Sequence, residues 1–146
     1  MKFASATIAT VFATVALAAP TPAAEAKSAV ADVPQWTVEG LKRVCDDADT
    51  SCTWTFSVDT HLADPTPCSF TVKGSPASQT DSANNVCGPY TIGSGWSDQF
   101  GPENGFTTLS VVDVAQKLII WPSYSDATLA GGAVAADLSY PPTSIA

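Results

Sequence analysis

His61 is the one histidine of the chain, so any Ser-His-Asp or Cys-His arrangement has to run through it. It lies in Asp59-Thr60-His61-Leu62, just past an alternating stretch, and no Gly-x-Ser-x-Gly elbow marks a nucleophile for it. A solvated loop histidine is the simpler reading. Paired carboxylates are the other route to hydrolysis, since glycoside cleavage needs two side chains roughly 5 to 10 Å apart across a cleft. Glu39 and Glu103 are the glutamates that follow residue 34, and neither sits in a recognisable motif. Asp46, Asp47 and Asp49 form the densest acidic cluster, and hard cations such as calcium take oxygen ligands from loops of this kind. The stretch Asp46 to Ser51 lacks the central glycine and distal glutamate of an EF-hand loop, so a solvated turn is preferred. No residue is marked as catalytic, and neither a metal nor a cofactor is expected.

A different chemistry, recognition, is offered by the stretch from Gly93 to Phe106, where glycines and turn residues hold three aromatics between two strand candidates. Trp96 and Phe100 are suited to stack on a sugar ring or anchor a protein partner, with Asp98, Gln99 and Glu103 supplying hydrogen bonds. The structural alternative is that both aromatics fold back and plug one end of the domain.

Such a loop needs a rigid frame, and the rest of the sequence reads as one. In Cys52-Thr53-Trp54-Thr55-Phe56-Ser57-Val58 the cysteine, Trp54, Phe56 and Val58 share one face, and hydroxyl residues fill the other. Cys68 to Lys73 repeats the alternation, again with a sulfur on the apolar face. Further strands are expected at Trp36 to Val44, Val86 to Ile92, Phe106 to Val112 and Lys117 to Trp121, the last apolar on both faces. Trp36, Trp54 and Trp121 are assigned to the core. Ser125 is placed to cap one helical turn through Leu129, which Gly131-Gly132 would stop. Beyond Ser139 the Pro-rich tail is expected to be irregular. The fold class is mostly β, a small antiparallel β-sandwich or β-barrel with little helix.

The four cysteines Cys45, Cys52, Cys68 and Cys87 are separated by six, fifteen and eighteen residues, with no C-x-x-C pair of the kind zinc sites use. An even count in a small exported domain reads as two disulfides. Asp46 to Ser51 has turn chemistry throughout, so a hairpin brings Cys45 and Cys52 together; Cys68 and Cys87 pair by remainder.

Export is read from the N-terminus: Lys2, an uncharged apolar stretch from Phe3 to Leu17, and the small-residue site Ala16-Leu17-Ala18. The expected organisation is a signal peptide at 1–18, a flexible Ala/Pro/Ser/Thr leader at 19–34, and a single secreted β domain at 35–146. The apolar run is too short to span a bilayer and breaks at Pro20 and Pro22, so membrane insertion is not expected. The chain of 146 residues carries a net charge of −8, which becomes −9 once Lys2 is removed. A surface of that sign repels phosphate backbones and anionic lipid, which excludes nucleic acid as a partner class. No N-glycosylation sequon follows Asn84, Asn85 or Asn104.

Several of these motifs together carry a resemblance. Arg43-Val44-Cys45, Asp49-Thr50-Ser51-Cys52-Thr53-Trp54-Thr55-Phe56, Cys87-Gly88-Pro89-Tyr90-Thr91-Ile92, the loop from Gly95-Trp96 to Phe106, and Leu118-Ile119-Ile120-Trp121-Pro122 are similar to small secreted proteins of filamentous fungi. The similarity to that fungal group spans about residues 36 to 142, and the group in turn resembles, more loosely, the Alternaria-allergen-like (AA1-like) β-barrel family. It implies a compact β domain released into the medium or plant apoplast, with effector or surface roles and without catalysis. The allergen forms a covalent dimer through an extra cysteine; four paired cysteines leave none for that here. Three functions follow in order: a secreted non-enzymatic fungal binding protein, an apoplastic effector engaging a host extracellular protein; a protein that binds cell-wall polysaccharide; and a small secreted hydrolase.

Overall fold

A computed structural model of the chain describes residues 33–145; the expected signal peptide and all but the last two residues of the expected leader lie outside that range. Ten short strands make two antiparallel sheets. The smaller contains β3 (Thr66–Lys73), β2 (Ser51–Asp59), β1 (Trp36–Cys45) and β9 (Leu138–Tyr140), in that order. The larger runs β10 (Thr143–Ser144), β7 (Leu118–Ile120), β6 (Phe106–Asp113), β5 (Tyr90–Ser97) and β4 (Ser82–Cys87), with β8 (Ser123–Ser125) pairing the start of β6. The mostly β reading is thereby shown.

Period-two alternation dictates which faces meet. Trp36, Val38 and Leu41 from β1, Trp54, Phe56 and Val58 from β2, and Phe70 and Val72 from β3 share one core with Ile92, Leu109, Val111 and Ile120 of the larger sheet. Trp36 meets Tyr90 edge-on at 5.6 Å, while Trp54 stacks on Phe70 at 6.0 Å. The β1 alternation slips once, between Glu39 and Lys42. Gly40 takes φ +62 in that bulge, a conformation costly for a residue with a Cβ, and its N–H donates to Asp137 Oδ1 at 2.9 Å.

The disulfides follow the hairpin argument. Cys45 and Cys52 face each other across the β1–β2 pair and are bonded, with Cα atoms 3.9 Å apart. Cys68 on β3 and Cys87 on β4 are bonded across the gap between the sheets, with Cα atoms 5.4 Å apart. Sheet edges are blunted: β3 carries Pro67, and β4 is broken by a register shift between Ser82 and Asn85, where Asn84 takes φ +62.

Four local expectations need correction. Val86 to Ile92 is two strands, because Gly88 (φ +55) and Pro89 turn the chain between Cys87 and Tyr90. The loop assigned to 93–106 is shorter, since β5 pairs with β6 as far as Ser97↔Phe106. The tail beyond Ser139 is not wholly irregular: β9 and β10 each pair, with Pro142 buried between them. Trp121, assigned to the core, is 52% exposed. Leu118, Ile119 and Ile120 are buried as expected, but Pro122 takes the next interior position and its carbonyl accepts the Leu109 N–H at 2.7 Å. The proline interrupts the strand, and the indole before it is left on the surface.

Candidate functional site

The two aromatics of the candidate loop, Trp96 and Phe100, have separate fates. Trp96 sits on β5, half-buried, and its Nε1–H donates to Asp126 Oδ2 at 2.8 Å while its backbone N–H donates to Asp81 Oδ1 at 3.0 Å. Asp126 opens the helical turn Asp126–Leu129, which Ser125 caps by accepting the Thr128 N–H at 3.1 Å. The other oxygen of Asp126 accepts from Arg43 Nη1 at 3.2 Å. Arg43 is only 7% exposed and lies 5.7 Å from the Trp54 ring centroid, so its charge is compensated by one carboxylate and one indole face. Gly105 makes this packing possible: a Cβ there would stand 2.6 Å from Asp126 Oδ2 and 2.7 Å from Trp96 Cζ2. Trp96 is thus an anchor that ties the loop base, through Asp126, to the smaller sheet.

Phe100 is presented outward. It is 66% exposed and stacks on Phe106 at 5.8 Å between centroids. The loop around it is held by its own backbone: Gly101 N–H donates to Asp98 O at 2.8 Å, Asn104 N–H to Gly101 O at 2.9 Å, and Asn104 Nδ2 to Phe100 O at 2.9 Å. Asp98, Gln99 and Glu103 are exposed around the ring. The arrangement is a pre-ordered aromatic knob with a polar, acidic rim. It can insert into an apolar recess and take hydrogen-bond donors, the combination that makes a binding hot spot.

Other candidates are structural. Asp46 Oδ1 accepts the Thr50 and Ser51 N–H groups at 2.6 and 3.2 Å, and its Oδ2 accepts the Thr50 hydroxyl at 2.5 Å. The Thr50 hydroxyl first, then the backbone donors, holds the Asp46 carboxyl below the usual carboxylate range. Asp49 accepts the Ser78 N–H at 2.9 Å and the Ser78 hydroxyl at 2.5 Å, docking the 3-10 turn Ala77–Gln79. Asp49 also stands beside Cys45 and Cys52, but those sulfurs are one disulfide and supply no thiolate to a metal.

His61 is exposed on the smaller sheet's side, its Nε2 2.8 Å from Thr37 Oγ1 and its Nδ1 3.6 Å from Asp59 Oδ2. The order carboxylate, imidazole, hydroxyl is that of a relay, yet Thr37 Oγ1 is also 2.8 Å from Ser139 Oγ, and none of these residues lines either described cleft. The contacts hold the 59–62 turn against β1. Glu39 lies beside this group, and its carboxyl is pushed up first by desolvation, then by its hydrogen bond to Asp59 and the charges of Asp59 and Asp137. Glu103 belongs to the β5–β6 connection, so the two glutamates do not form a pair around either cleft. The larger cleft, about 380 Å³, is floored by Arg43 and walled by Asp49, Ser78 and the Leu129–Gly132 turn.

A family model described as Effector TSP1 matches residues 37–145, all of the described residues but the first four. The chain belongs to the Effector TSP1 family. A curated relative, Effector TSP1 of Hypocrea virens (strain Gv29-8 / FGSC 10586), is 52% identical over 148 residues, 99% of this chain and 99% of the relative. The coarser part of the resemblance, a small effector-type protein, is thereby shown. Among the described residues, no helix of this Effector TSP1 family member is long and apolar enough to cross a membrane. Sequence reading placed Phe100 and its polar neighbours on one loop but missed Arg43, Gly105 and Asp126, which fix that loop's base. The signals for them were slight: Arg43 is the one arginine of the chain, and Asp126 follows the helix-capping Ser125.

Proposed function

We propose that this chain is a secreted, non-enzymatic effector that engages a host extracellular protein through the Asp98–Glu103 loop. One observation carries the reading: Phe100 stands out of the surface on a loop whose base is fastened by Trp96, Asp126 and Arg43. Preordering of this kind reduces the entropy lost on association, so a single aromatic knob contributes more to affinity than on a mobile loop. Membership of an effector family supports the secreted role, as does the N-terminal pattern of Lys2 followed by an apolar run. The self-satisfied Asp46, Asp49 and His61 contacts support a non-enzymatic reading, because each side chain is committed to holding a turn.

The experiment is a pull-down from plant apoplastic fluid with the secreted, oxidised chain against Phe100→Ala and Asp98→Ala/Glu103→Ala. The reading expects one host protein to be retained by the parent chain and lost with Phe100→Ala at unchanged melting temperature. Equal capture by all three proteins would remove the loop from recognition.

A further inference from the structure

Charge is distributed unevenly between the sheets. The strands of the smaller sheet carry Glu39, Lys42, Arg43, Asp59 and Lys73. On the six strands of the larger sheet the sole charged residue is Asp113, which is buried at 5% exposure. Because Ile92, Leu109, Val111 and Ile120 point into the core, the residues between them face outward. That outer face consists of Thr91, Gly93 and Gly95 on β5 and Phe106, Thr108, Ser110 and Val112 on β6, bordered by the exposed indole of Trp121.

Register fixes how these groups lie. Gly93 pairs with Ser110, and Val111 pairs with Ile120, so Trp121 follows at the level of Ser110 on the other side of β6. A Cβ on Gly93 would lie 2.8 Å from Ser110 Oγ, so the missing side chain leaves the serine hydroxyl lying across a flat backbone shelf. The row therefore reads glycine, hydroxyl, indole. Thr108 Oγ1 and Ser123 Oγ, 3.4 Å apart, add a second hydroxyl pair on the next row.

We propose that this face binds an uncharged β-glucan, with Trp121 stacking on the C–H face of a pyranose ring and Ser110 and Thr108 bonding its hydroxyls. No strand residue on this face is charged, Asp81 Oδ1 lies only at its Gly95 edge, and the net charge of −8 repels an acidic polymer from the molecule as a whole, so an uncharged chain fits the face best. The row offers glycine and hydroxyls rather than a side chain set against a ring substituent, so an unsubstituted glucan ring fits it better than the acetamide-bearing ring of chitin. Phe106, which carries the Phe100 stack, ends this face at the start of β6, whereas the proposed sugar contacts lie at Thr108, Ser110 and Trp121, so the Phe100→Ala and Trp121→Ala variants separate the two proposals.

The test measures depletion of the full, oxidised chain by insoluble β-glucan and, in parallel, by chitin, with Trp121→Ala, Trp121→Phe and Phe100→Ala variants. The expected result is retention on glucan that soluble gluco-oligosaccharide competes away. Trp121→Ala lowers the affinity about tenfold or more at unchanged melting temperature, Trp121→Phe restores part of it, and Phe100→Ala leaves it intact. Failure of the parent chain to bind glucan, equal binding by Trp121→Ala, or retention on chitin instead would each overturn the proposal. So would sedimentation showing that Trp121→Ala dissociates a self-associated species while glucan binding is nil.

Discussion

The two sheets solve the same folding problem with different surfaces. The smaller is studded with charge on its outer side and locked at one end by the Cys45–Cys52 hairpin. The larger keeps its only strand charge inside and leaves hydroxyls, glycines and a few apolar side chains outside, beside the indole of Trp121. They are held together across the core by Cys68–Cys87, and again by Arg43, which reaches from β1 to Asp126 and so to Trp96. The difference teaches that a buried arginine can serve as a joint between layers. It also shows that surface chemistry is assigned sheet by sheet rather than spread evenly over the molecule.

The comparison is broken most severely at the joints. Removing the inter-sheet bridge with Cys68→Ser/Cys87→Ser is expected to cost about 3 kcal/mol, whereas Cys45→Ser/Cys52→Ser costs about 2 kcal/mol. The reason is that sequence separations of 19 and 7 restrict the unfolded chain to different degrees. Denaturant midpoints on the secreted proteins check the ranking, and the reverse order would mean the hairpin matters more than the layer contact. Next comes the polar joint. Asp126→Ala leaves a buried guanidinium and the Trp96 N–H without their acceptor, an expected loss of about 2 kcal/mol given that the carboxylate is partly solvent-exposed. Tryptophan emission should shift with it, and Asp126→Asn should retain part of the stability. Gly105→Ala drives a methyl into the same contact and should cost about 1 to 2 kcal/mol in thermal unfolding.

How much of this was legible in the sequence depends on the range of the interactions. Alternation over Cys52 to Val58 and Cys68 to Val72 revealed strands, inward sulfurs and the β class, because each face is set by a period of two residues. The hairpin disulfide was legible because Asp46 and the residues after it have the chemistry of a tight turn. Trp121 was misplaced because composition made it look like one more core residue, while the decisive feature was the proline after it. Trp96 and Phe100 looked equivalent on the loop. Only the long-range position of Asp126, thirty residues from Trp96, turns one inward and leaves the other out.

Smaller effects sharpen the contrast. Trp121→Ala should change stability by no more than about 0.5 kcal/mol, since the indole lies on the surface; a larger loss in thermal unfolding would return it to the core. Acidification gives the weakest signal. Asp46 has its carboxyl held low in the folded chain, so its contribution is present above the ordinary aspartate value of 3.8 and fades as pH falls through the lower folded value. The protection factors of the Thr50 and Ser51 amides, measured against the intrinsic rate at each pH, should therefore fall at low pH in the parent chain and be independent of pH in Asp46→Asn.

The central claim is that recognition belongs to the Phe100 loop, held rigid by the Trp96–Asp126–Arg43 joint. Capture of host protein from apoplastic fluid by the parent chain and by Phe100→Ala, with matched melting temperatures, tests it most directly. The account predicts that a specific host protein is retained by the parent and lost from the variant. Undiminished capture by Phe100→Ala would contradict it.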